Sequence, residues 1–233
     1  MLIIGHRGSR GTHQENSLSS LREALRADVD MIEFDVRLTK DKVPVLCHSL
    51  RLYGTRKTEL ALLRRYTYAE LQKRTAGSDH PILSLEKALD ELFGTVILNI
   101  EVKERTAVNA VIKVSKKHVH KKSDWDKILF SSSKPLVLAA IRRKCPEAAL
   151  AFLSRRGSLL FAVLHRAIDL SAVGFHRLYT SRLALHTAKE LGLFTYAYTV
   201  NRSSAAKRLI DRGIDGIVTD YPAQLVESLR NKD

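Results

Sequence analysis

Cysteine is scarce in this sequence, and no hydrophobic run is long enough to span a membrane. Only two cysteines, Cys47 and Cys145, occur among the 233 residues, which is too few for a disulfide framework. No run approaches the roughly 18 consecutive apolar residues that a membrane helix needs. The N-terminus passes from Met1-Leu-Ile-Ile4 directly into Gly5-His-Arg7, without the charged start and apolar stretch of a signal peptide. We therefore expect a cytoplasmic protein in a reducing compartment.

Aromatic residues and segments that would divide the chain are also scarce. Aromatics make up only 6% of the residues, and they form no pattern suited to stacking on bases. This argues against nucleic acid as a partner. No linker, low-complexity stretch or charge block interrupts the chain, so we expect residues 1–233 to form one domain.

Acidic residues are fewer than basic ones, and the formal net charge is +14. Such a charge favours a negatively charged substrate or a transient contact with an anionic membrane surface. Two segments are densely basic. Residues 113–122 hold five lysines and no acid, which is typical of a solvated helix face. Residues 51–74 hold seven basic and two acidic residues, and this segment either selects an anionic head group or interface or is a solubilising loop.

Short apolar runs alternate with amphipathic segments along the whole chain. The alternation predicts a parallel sheet covered by helices, and eight such units favour a closed (β/α)8 TIM barrel with a long connection after the second strand. The predicted strands are Leu2–Gly5, Met31–Val36, Val96–Val102, Lys127–Phe130, Ala149–Leu153, Ala172–Gly174, Phe194–Thr199 and Gly216–Thr219. The predicted helices are Ser17–Ala27, Ser84–Leu92, Ala107–His118, Pro135–Lys144, Ser158–Ile168, Ser181–Leu191, Ser203–Arg212 and Pro222–Arg230.

Charged residues occur at alternate positions near the ends of two of these strands. Glu33 and Asp35 share one face of the second strand, and Glu101 and Lys103 share one face at the end of the third. Buried carboxylates that converge would repel one another by about 4 kcal/mol per pair at 4 Å and an effective dielectric of 20. A cation should therefore lie among them. An oxygen-only ligand set suits Mg²⁺ or Ca²⁺ better than Zn²⁺, and we predict a divalent metal site.

Other polar residues follow the ends of predicted strands, where a TIM barrel builds its active site. His6 and Arg7 follow the first strand, His48 ends a later apolar run, and Asn201 follows the seventh strand. Two histidines beside a carboxylate-rich site fit general acid–base catalysis. The guanidinium of Arg7 suits phosphate, and beside it Lys103 is better explained as a phosphate contact than as a structural ion pair.

The start of the first predicted helix, the thiol of Cys47 and the remaining histidines each have a structural and a functional interpretation. Asn16 or Ser17 caps the first helix, or this segment contributes to the site. Cys47 lies beside His48, but alternation turns it away, which favours a core thiol over a nucleophile. The other histidines with no carboxylate context are expected to have no catalytic role; these are His118, His120, His165, His176 and His186.

An ordered series of motifs resembles the glycerophosphodiester phosphodiesterase family. The series spans almost the whole chain and consists of Ile4-Gly-His-Arg-Gly8, Glu15-Asn-Ser17, Ile32-Glu-Phe-Asp-Val-Arg-Leu-Thr-Lys-Asp41, Val43-Pro-Val-Leu-Cys-His48, Leu98-Asn-Ile-Glu-Val-Lys103, Tyr198-Thr-Val-Asn201 and Gly213-Ile-Asp-Gly-Ile-Val-Thr-Asp-Tyr-Pro222. The family has a TIM-barrel fold, in agreement with the alternation of strands and helices. The resemblance also implies that residues 49–83 are the family's variable insertion beside the active site, after the second strand. The family differs from this chain in having Asp at the position of Ser49 and Trp at the position of Tyr198.

The resemblance implies hydrolysis of a glycerophosphodiester to an alcohol and glycerol 3-phosphate with a divalent cation, Mg²⁺, Ca²⁺ or Mn²⁺. By matched position, the metal ligands would be Glu33, Asp35 and Glu101, and the acid–base pair would be His6 and His48. The substrate contacts would be Arg7, Lys103, Glu15, Asn16, Tyr198 and Asn201. The nucleophile is either water or a glycerol hydroxyl of the substrate, and either histidine could be the acid.

Two other functions remain alternatives to this hypothesis. A lysophospholipase D would use the same fold on lipid-tailed substrates and would need an apolar groove or membrane-facing patch. The run Leu159-Leu-Phe-Ala-Val-Leu164 is the candidate for such a patch, although it is more typical of a core helix. A catalytically silent protein that binds phosphate or nucleic acid would agree with the net charge, but it would need neither three metal carboxylates nor paired histidines.

Overall fold

A computed structural model describes residues 1–53, 60–78, 81–154 and 159–230 of the chain. The strands are β1 (Leu2–His6), β2 (Met31–Leu38), β3 (Pro44–Leu46), β4 (Arg51–Tyr53), β5 (Leu60–Leu62), β6 (Leu83–Ser84), β7 (Ile97–Val102), β8 (Ile128–Ser132), β9 (Ala149–Ser154), β10 (Ala172–His176), β11 (Phe194–Tyr198) and β12 (Gly216–Thr219). The α-helices are α1 (Leu18–Arg26), α2 (Tyr68–Thr75), α3 (Leu85–Leu92), α4 (Val108–Lys116), α5 (Pro135–Lys144), α6 (Leu160–Ile168), α7 (Arg182–Glu190), α8 (Ser203–Asp211) and α9 (Pro222–Arg230).

Eight parallel strands close into a barrel. Their order is β1, β12, β11, β10, β9, β8, β7 and β2, and β2 pairs again with β1. The predicted single-domain TIM barrel is therefore confirmed, and each of its eight strands coincides with a predicted strand to within about two residues. The side chains between sheet and helices form the main apolar core, to which β2 and β7 contribute Phe34 and Ile100.

Serine caps explain where several of the helices begin. The Ser17 hydroxyl accepts a hydrogen bond from the Ser20 N–H at 3.2 Å, and Ser84 caps α3 in the same way at 3.2 Å from Lys87 N. Ser181 caps α7. The question of which residue caps the first helix is thus answered in favour of Ser17.

A second apolar cluster lies inside the barrel and forms the floor of the site. It includes Ile4, Met31 and Val218, and the residues two positions further along the chain are His6, Glu33 and Asp220. Because side chains at i and i+2 share a face of a strand, each strand changes from apolar to polar as it approaches its C-terminal end. The barrel therefore presents charged groups at one rim above this apolar cluster.

The segment after β2 is an insertion with its own elements. β3 runs antiparallel to β2, β6 runs antiparallel to β3, and β4 and β5 form a separate two-stranded sheet. Helix α2 begins with a capping box between Thr67 and Glu70. Cys47 is buried in a small apolar cluster below α2, as expected for a core thiol. Arg56 and Lys57 of the basic segment lie outside the described residues.

No helix in the described part of the chain is long and apolar enough to cross a membrane.

Candidate active site

Three carboxylates meet at the C-terminal ends of β2 and β7. One oxygen from each of Glu33, Asp35 and Glu101 lies within 4.8 Å of the others. The register of the two strands explains the convergence, because it pairs Asp35 directly with Glu101. Glu33 is 6% exposed and Asp35 is 1% exposed. The structure thus brings together the three residues that the sequence predicts as metal ligands.

The pKa values of these acids shift in opposite directions, because burial and mutual repulsion raise those of Glu33 and Glu101 while neighbouring cations lower that of Asp35. Burial, with the nearby charges of Asp35 and Glu101, raises the pKa of Glu33 well above its usual value. The pKa of Glu101 is also raised, first by burial and then by Asp35. Burial would raise the pKa of Asp35 as well, but the cations Lys103 and Arg7 lower it. The cluster is therefore rich in negative charge that a cation would stabilise.

Two buried cations already compensate part of this charge. Lys103 Nζ lies 2.8 Å from an oxygen of Asp35 and 2.8 Å from an oxygen of Glu101. Arg7 Nε lies 3.0 Å from Asp35, and its Nη1 donates to Glu15 at 2.6 Å. Despite the cost of burial, these carboxylates raise the pKa of both cations. Two positive charges at the cluster provide the electrostatic setting that an anionic phosphodiester needs.

The loop between β1 and α1 holds Arg7 and Asn16 in place. Asn16 exchanges two hydrogen bonds with Asp35, one from its amide to the carboxylate and one from the Asp35 N–H to its carbonyl oxygen, both at 3.1 Å. Asn16 therefore belongs to the site, while Ser17 is the helix cap. Gly8 has a φ of +83°, and a Cβ at this position would lie 2.5 Å from the Ser20 backbone. Only glycine fits this close approach.

The orientation of His6 is fixed by Asp220, which was not among the predicted site residues. Its Nδ1 lies 2.6 Å from Asp220 Oδ1. Burial would raise the pKa of Asp220, but hydrogen bonds to His6 and Asn201 lower it to about 2. Because an ionised carboxylate can only accept hydrogen bonds, the ring proton of neutral His6 lies on Nδ1. Nε2 is then the nitrogen on the side of the carboxylate cluster, 4.0 Å from Glu33 Oε2.

The predicted substrate residue Asn201 contacts Asp220 rather than the carboxylate cluster. Its amide donates to Asp220 Oδ2 at 2.7 Å, and its carbonyl oxygen accepts from the Asp220 N–H at 2.9 Å. The signal that could have identified Asp220 is its position at the end of the last barrel strand, where catalytic residues of TIM barrels are found.

His48 follows β3 and lies at the exposed edge of the site. Its backbone carbonyl oxygen accepts from Arg37 Nε at 2.9 Å. Partial loss of hydration lowers the pKa of its imidazole to about 4; Asp35 opposes this shift, and Arg7 adds to it. His48 is therefore electrostatically coupled to the cluster, although it comes from the insertion and not from a barrel strand.

A small cavity of about 50 Å³ opens at the carboxylate cluster. His6, Glu33 and Glu101 line one side, and Asn99, Tyr196 and Tyr198 line another. The buried Asn99 Nδ2 and Tyr196 Oη have no hydrogen-bond partner of good geometry within the described structure. Burying such groups is costly, so a ligand with hydroxyl groups would satisfy them.

The fold and this rim define the class of the protein: a TIM-barrel enzyme with an acidic candidate metal centre flanked by two buried cations. Residues 6–224 match the glycerophosphoryl diester phosphodiesterase family, and the chain belongs to this family. It is accordingly a phosphodiesterase of the hydrolase class. The family expected from the sequence motifs is confirmed.

Individual relatives agree with this assignment. The glycerophosphodiester phosphodiesterase of Caldanaerobacter subterraneus subsp. tengcongensis is 27% identical over 98% of both chains. An Oleispira antarctica phosphodiesterase, whose structure was solved with the product sn-glycerol-3-phosphate, is 26% identical, with a TM-score of 0.88 over 98% of this chain and 96% of that chain. A human lysophospholipase D is 24% identical over 98% of this chain and 86% of its own.

Proposed function

We propose that this protein hydrolyses glycerophosphodiesters to an alcohol and sn-glycerol 3-phosphate, with a divalent metal ion held by Glu33, Asp35 and Glu101. The convergence of these three carboxylates is the observation that carries the proposal. Their hard oxygen atoms suit Mg²⁺, Ca²⁺ or Mn²⁺. When bound, such an ion supplies Lewis-acid polarisation of a phosphate oxygen.

The residues of the chain divide the remaining work between binding and proton transfer. Arg7 and Lys103 neutralise the phosphodiester beside the carboxylates. Asn99 and Tyr196 receive the hydroxyl groups of the glycerol end, because both are polar side chains in the lining of the small cavity. The Oleispira antarctica phosphodiesterase was solved with sn-glycerol-3-phosphate bound, and this supports a glycerol phosphate end as the part of the substrate held at the site.

His6 and His48 form the acid–base pair in this proposal. One accepts a proton from the nucleophile, which is either water or a glycerol hydroxyl of the substrate, and the other donates a proton to the leaving alkoxide. Asp220 is a positioning residue, because its contact with Nδ1 leaves Nε2 of His6 facing the carboxylate cluster. Glu15 has a related task, because its carboxylate holds Arg7 at 2.6 Å and Arg10 at 2.7 Å.

The test is release of sn-glycerol 3-phosphate from glycerophosphocholine by the purified protein, with and without Mg²⁺, Ca²⁺ or Mn²⁺. We expect release only with an added ion, and a loss of at least about a thousandfold in the His6→Ala and Glu33→Gln variants. The exposed Glu227→Gln is the matched control, and its activity should equal that of the unaltered protein. Activity retained by both site variants would overturn the assignment.

Exposed apolar side chains near the same rim favour lysophospholipids as a second class of substrate. Leu136, Val163, Leu178 and Leu183 follow the C-terminal ends of β8, β9 and β10, and they are 68%, 65%, 70% and 62% exposed. The segment Leu159–Leu164 is therefore not a simple core helix: Phe161 is fully buried, while Val163 faces solvent. These four exposed side chains, called the apolar patch below, can contact a lipid chain.

The two substrate classes can be compared directly with lysophosphatidylcholine and glycerophosphocholine. If the patch receives the acyl chain, Leu178→Ser and Val163→Ser should lower the ratio of kcat/KM for the lysolipid to kcat/KM for the soluble diester by about three- to tenfold. An unchanged ratio in both variants would exclude this use of the patch.

A further inference from the structure

A larger cavity opens beside the small one on the same rim. Its volume is about 650 Å³, and it is built by the residues that follow β10 and β11 together with the first turns of α8. Tyr198 lines both cavities. Asp220 also lines the larger cavity, and its side chain contacts His6 of the smaller one at 2.6 Å. The two cavities therefore form adjoining parts of one cleft.

The lining of the larger cavity is strongly basic. Arg177, Arg202 and Arg208 contribute three guanidinium groups, and Asp220 is the single acidic side chain in the lining. Asp220 is already bound by His6 and Asn201. Within the described parts of the chain, none of the three arginines forms an ion pair or a side-chain hydrogen bond. Their positive charge is left for a ligand.

Other arginines near the site are engaged in a different way. Arg10 is bound to Glu15 at 2.7 Å, and Arg64 of the insertion is ion-paired with the buried Glu104. Arg64 belongs to the basic segment 51–74, for which selection of an anionic group was one of two hypotheses. The unpaired arginines beyond β10 and β11 are better suited to that task, because binding a ligand there breaks no existing ion pair.

We propose that this larger cavity receives the leaving alcohol of the diester, and that alcohols carrying a further negative charge, such as a phosphate monoester, are preferred. The inference rests on the proposed function, since it places the phosphodiester at the carboxylate cluster. The glycerol end is common to all substrates of such an enzyme and occupies the small cavity. The alcohol varies in size, and the open 650 Å³ cavity has the space for it.

Two soluble substrates that differ only by one phosphate group test this preference: glycerophosphoinositol and glycerophosphoinositol 4-phosphate. We expect the unaltered protein to have the higher kcat/KM for the phosphorylated diester. In the double variant Arg202→Gln/Arg208→Gln, the ratio of the two kcat/KM values should fall about tenfold, as two exposed ion pairs predict. Lys207→Gln, which removes an exposed charge of α8 outside the cavity lining, should keep the original ratio.

A binding measurement separates this inference from the proposed function. Calorimetric titration with inositol 4-phosphate, the leaving alcohol itself, needs no catalysis; the unaltered protein and Lys207→Gln should bind it at least fivefold more tightly than the double variant. If neither diester is hydrolysed, the proposed function fails and the titration alone decides the inference. Equal binding by the double variant, no binding by any protein, or a kcat/KM ratio that the double variant leaves unchanged would overturn the inference.

Discussion

Asp220 and His6 show how one carboxylate sets the chemistry of a neighbouring ring. The contact of 2.6 Å fixes which nitrogen of His6 carries the proton, and it leaves Nε2 on the side where a substrate would lie. Asn201 fixes Asp220 in turn through two hydrogen bonds. The side chain that orients the histidine is therefore itself oriented, which reduces the freedom that each catalytic cycle would otherwise have to remove.

Asp220→Asn should lower kcat about a hundredfold and leave KM nearly unchanged, because the amide cannot stabilise the protonated ring as a carboxylate does. Steady-state kinetics with glycerophosphocholine give both constants. Asp211→Asn is an exposed control on α8 and should match the unaltered enzyme. A kcat for Asp220→Asn within twofold of the unaltered value would contradict the positioning role.

The lowered pKa of Asp220 also predicts a pH-dependent contribution to stability. A folded-state pKa of about 2, below the ordinary value of 3.8, stabilises the folded protein fully above pH 3.8, and this contribution is lost as the pH falls through 2. It amounts to about 2 kcal/mol at pH 7 and about half of that at pH 3. Urea unfolding at both pH values should show the difference between the unaltered protein and Asp220→Asn shrinking by about 1 kcal/mol. A difference independent of pH would disprove the linkage.

At the scale of elements, the loop between β1 and α1 positions more of the site than any single barrel strand does. It brings Arg7 to Asp35 and Glu15, and it brings Asn16 to Asp35. The turn depends on Gly8, which combines a positive φ with close contact to the Ser20 backbone. A change at Gly8 therefore acts on stability and on the site at once.

Gly8→Ala should destabilise the protein by about 2–4 kcal/mol, because strain at positive φ adds to a clash with rigid backbone. Gly77→Ala is a matched control: its φ is +72°, but no atom lies within 4 Å of the added Cβ. This control should cost only about 1 kcal/mol. Chemical denaturation measures both values, and equal costs would show that the contact with Ser20 is unimportant.

The barrel elements could be predicted from the sequence because their signals are local. Apolar runs such as that of β8 identify buried strands, and serines such as Ser84 and Ser181 mark helix starts. The hairpin of β4 and β5 and helix α2 were not predicted. Their strands are three residues long, and the stability of α2 depends on packing within the insertion.

The site was predictable to the extent that its residues lie close together in the sequence. Glu33 and Asp35 could be predicted because they alternate in one apolar strand. Glu101 could be predicted because it alternates with Lys103 at the end of β7, which pairs with β2. The role of Asp220 was not accessible in this way, because its partner lies 214 positions away and no local pattern joins them. The larger basic cavity was missed for a similar reason, since three segments of the chain form it.

At the scale of the whole molecule, the proposed metal site would link folding to metal binding. The ligands come from two strands whose register is set by the closed sheet, so the unfolded chain cannot reproduce their arrangement. An ion that binds only the folded state stabilises it by mass action, by about 2.7 kcal/mol at a concentration one hundred times its Kd.

Added Mg²⁺, Ca²⁺ or Mn²⁺ should therefore raise Tm by about 5–10 °C at that concentration, and a chelator should reverse the shift. Glu101→Gln should abolish most of the shift because it removes one of the three carboxylates. Its metal-free Tm should not fall, since the variant also relieves repulsion within the cluster. Glu227→Gln should shift like the unaltered protein; an equal shift in Glu101→Gln would rule out the proposed ligand set.

The pairing of β1 with β12 has a consequence for how activity arises during synthesis. Strands β2 and β7, which carry all three carboxylates, are translated in the first half of the chain. The contact between His6 and Asp220 cannot form until Asp220 has been translated, more than two hundred residues later. A nascent or truncated chain that ends before Asp220 therefore lacks the carboxylate that orients His6. The complete site forms only when the last strand closes the barrel. Unfinished chains would therefore be inactive.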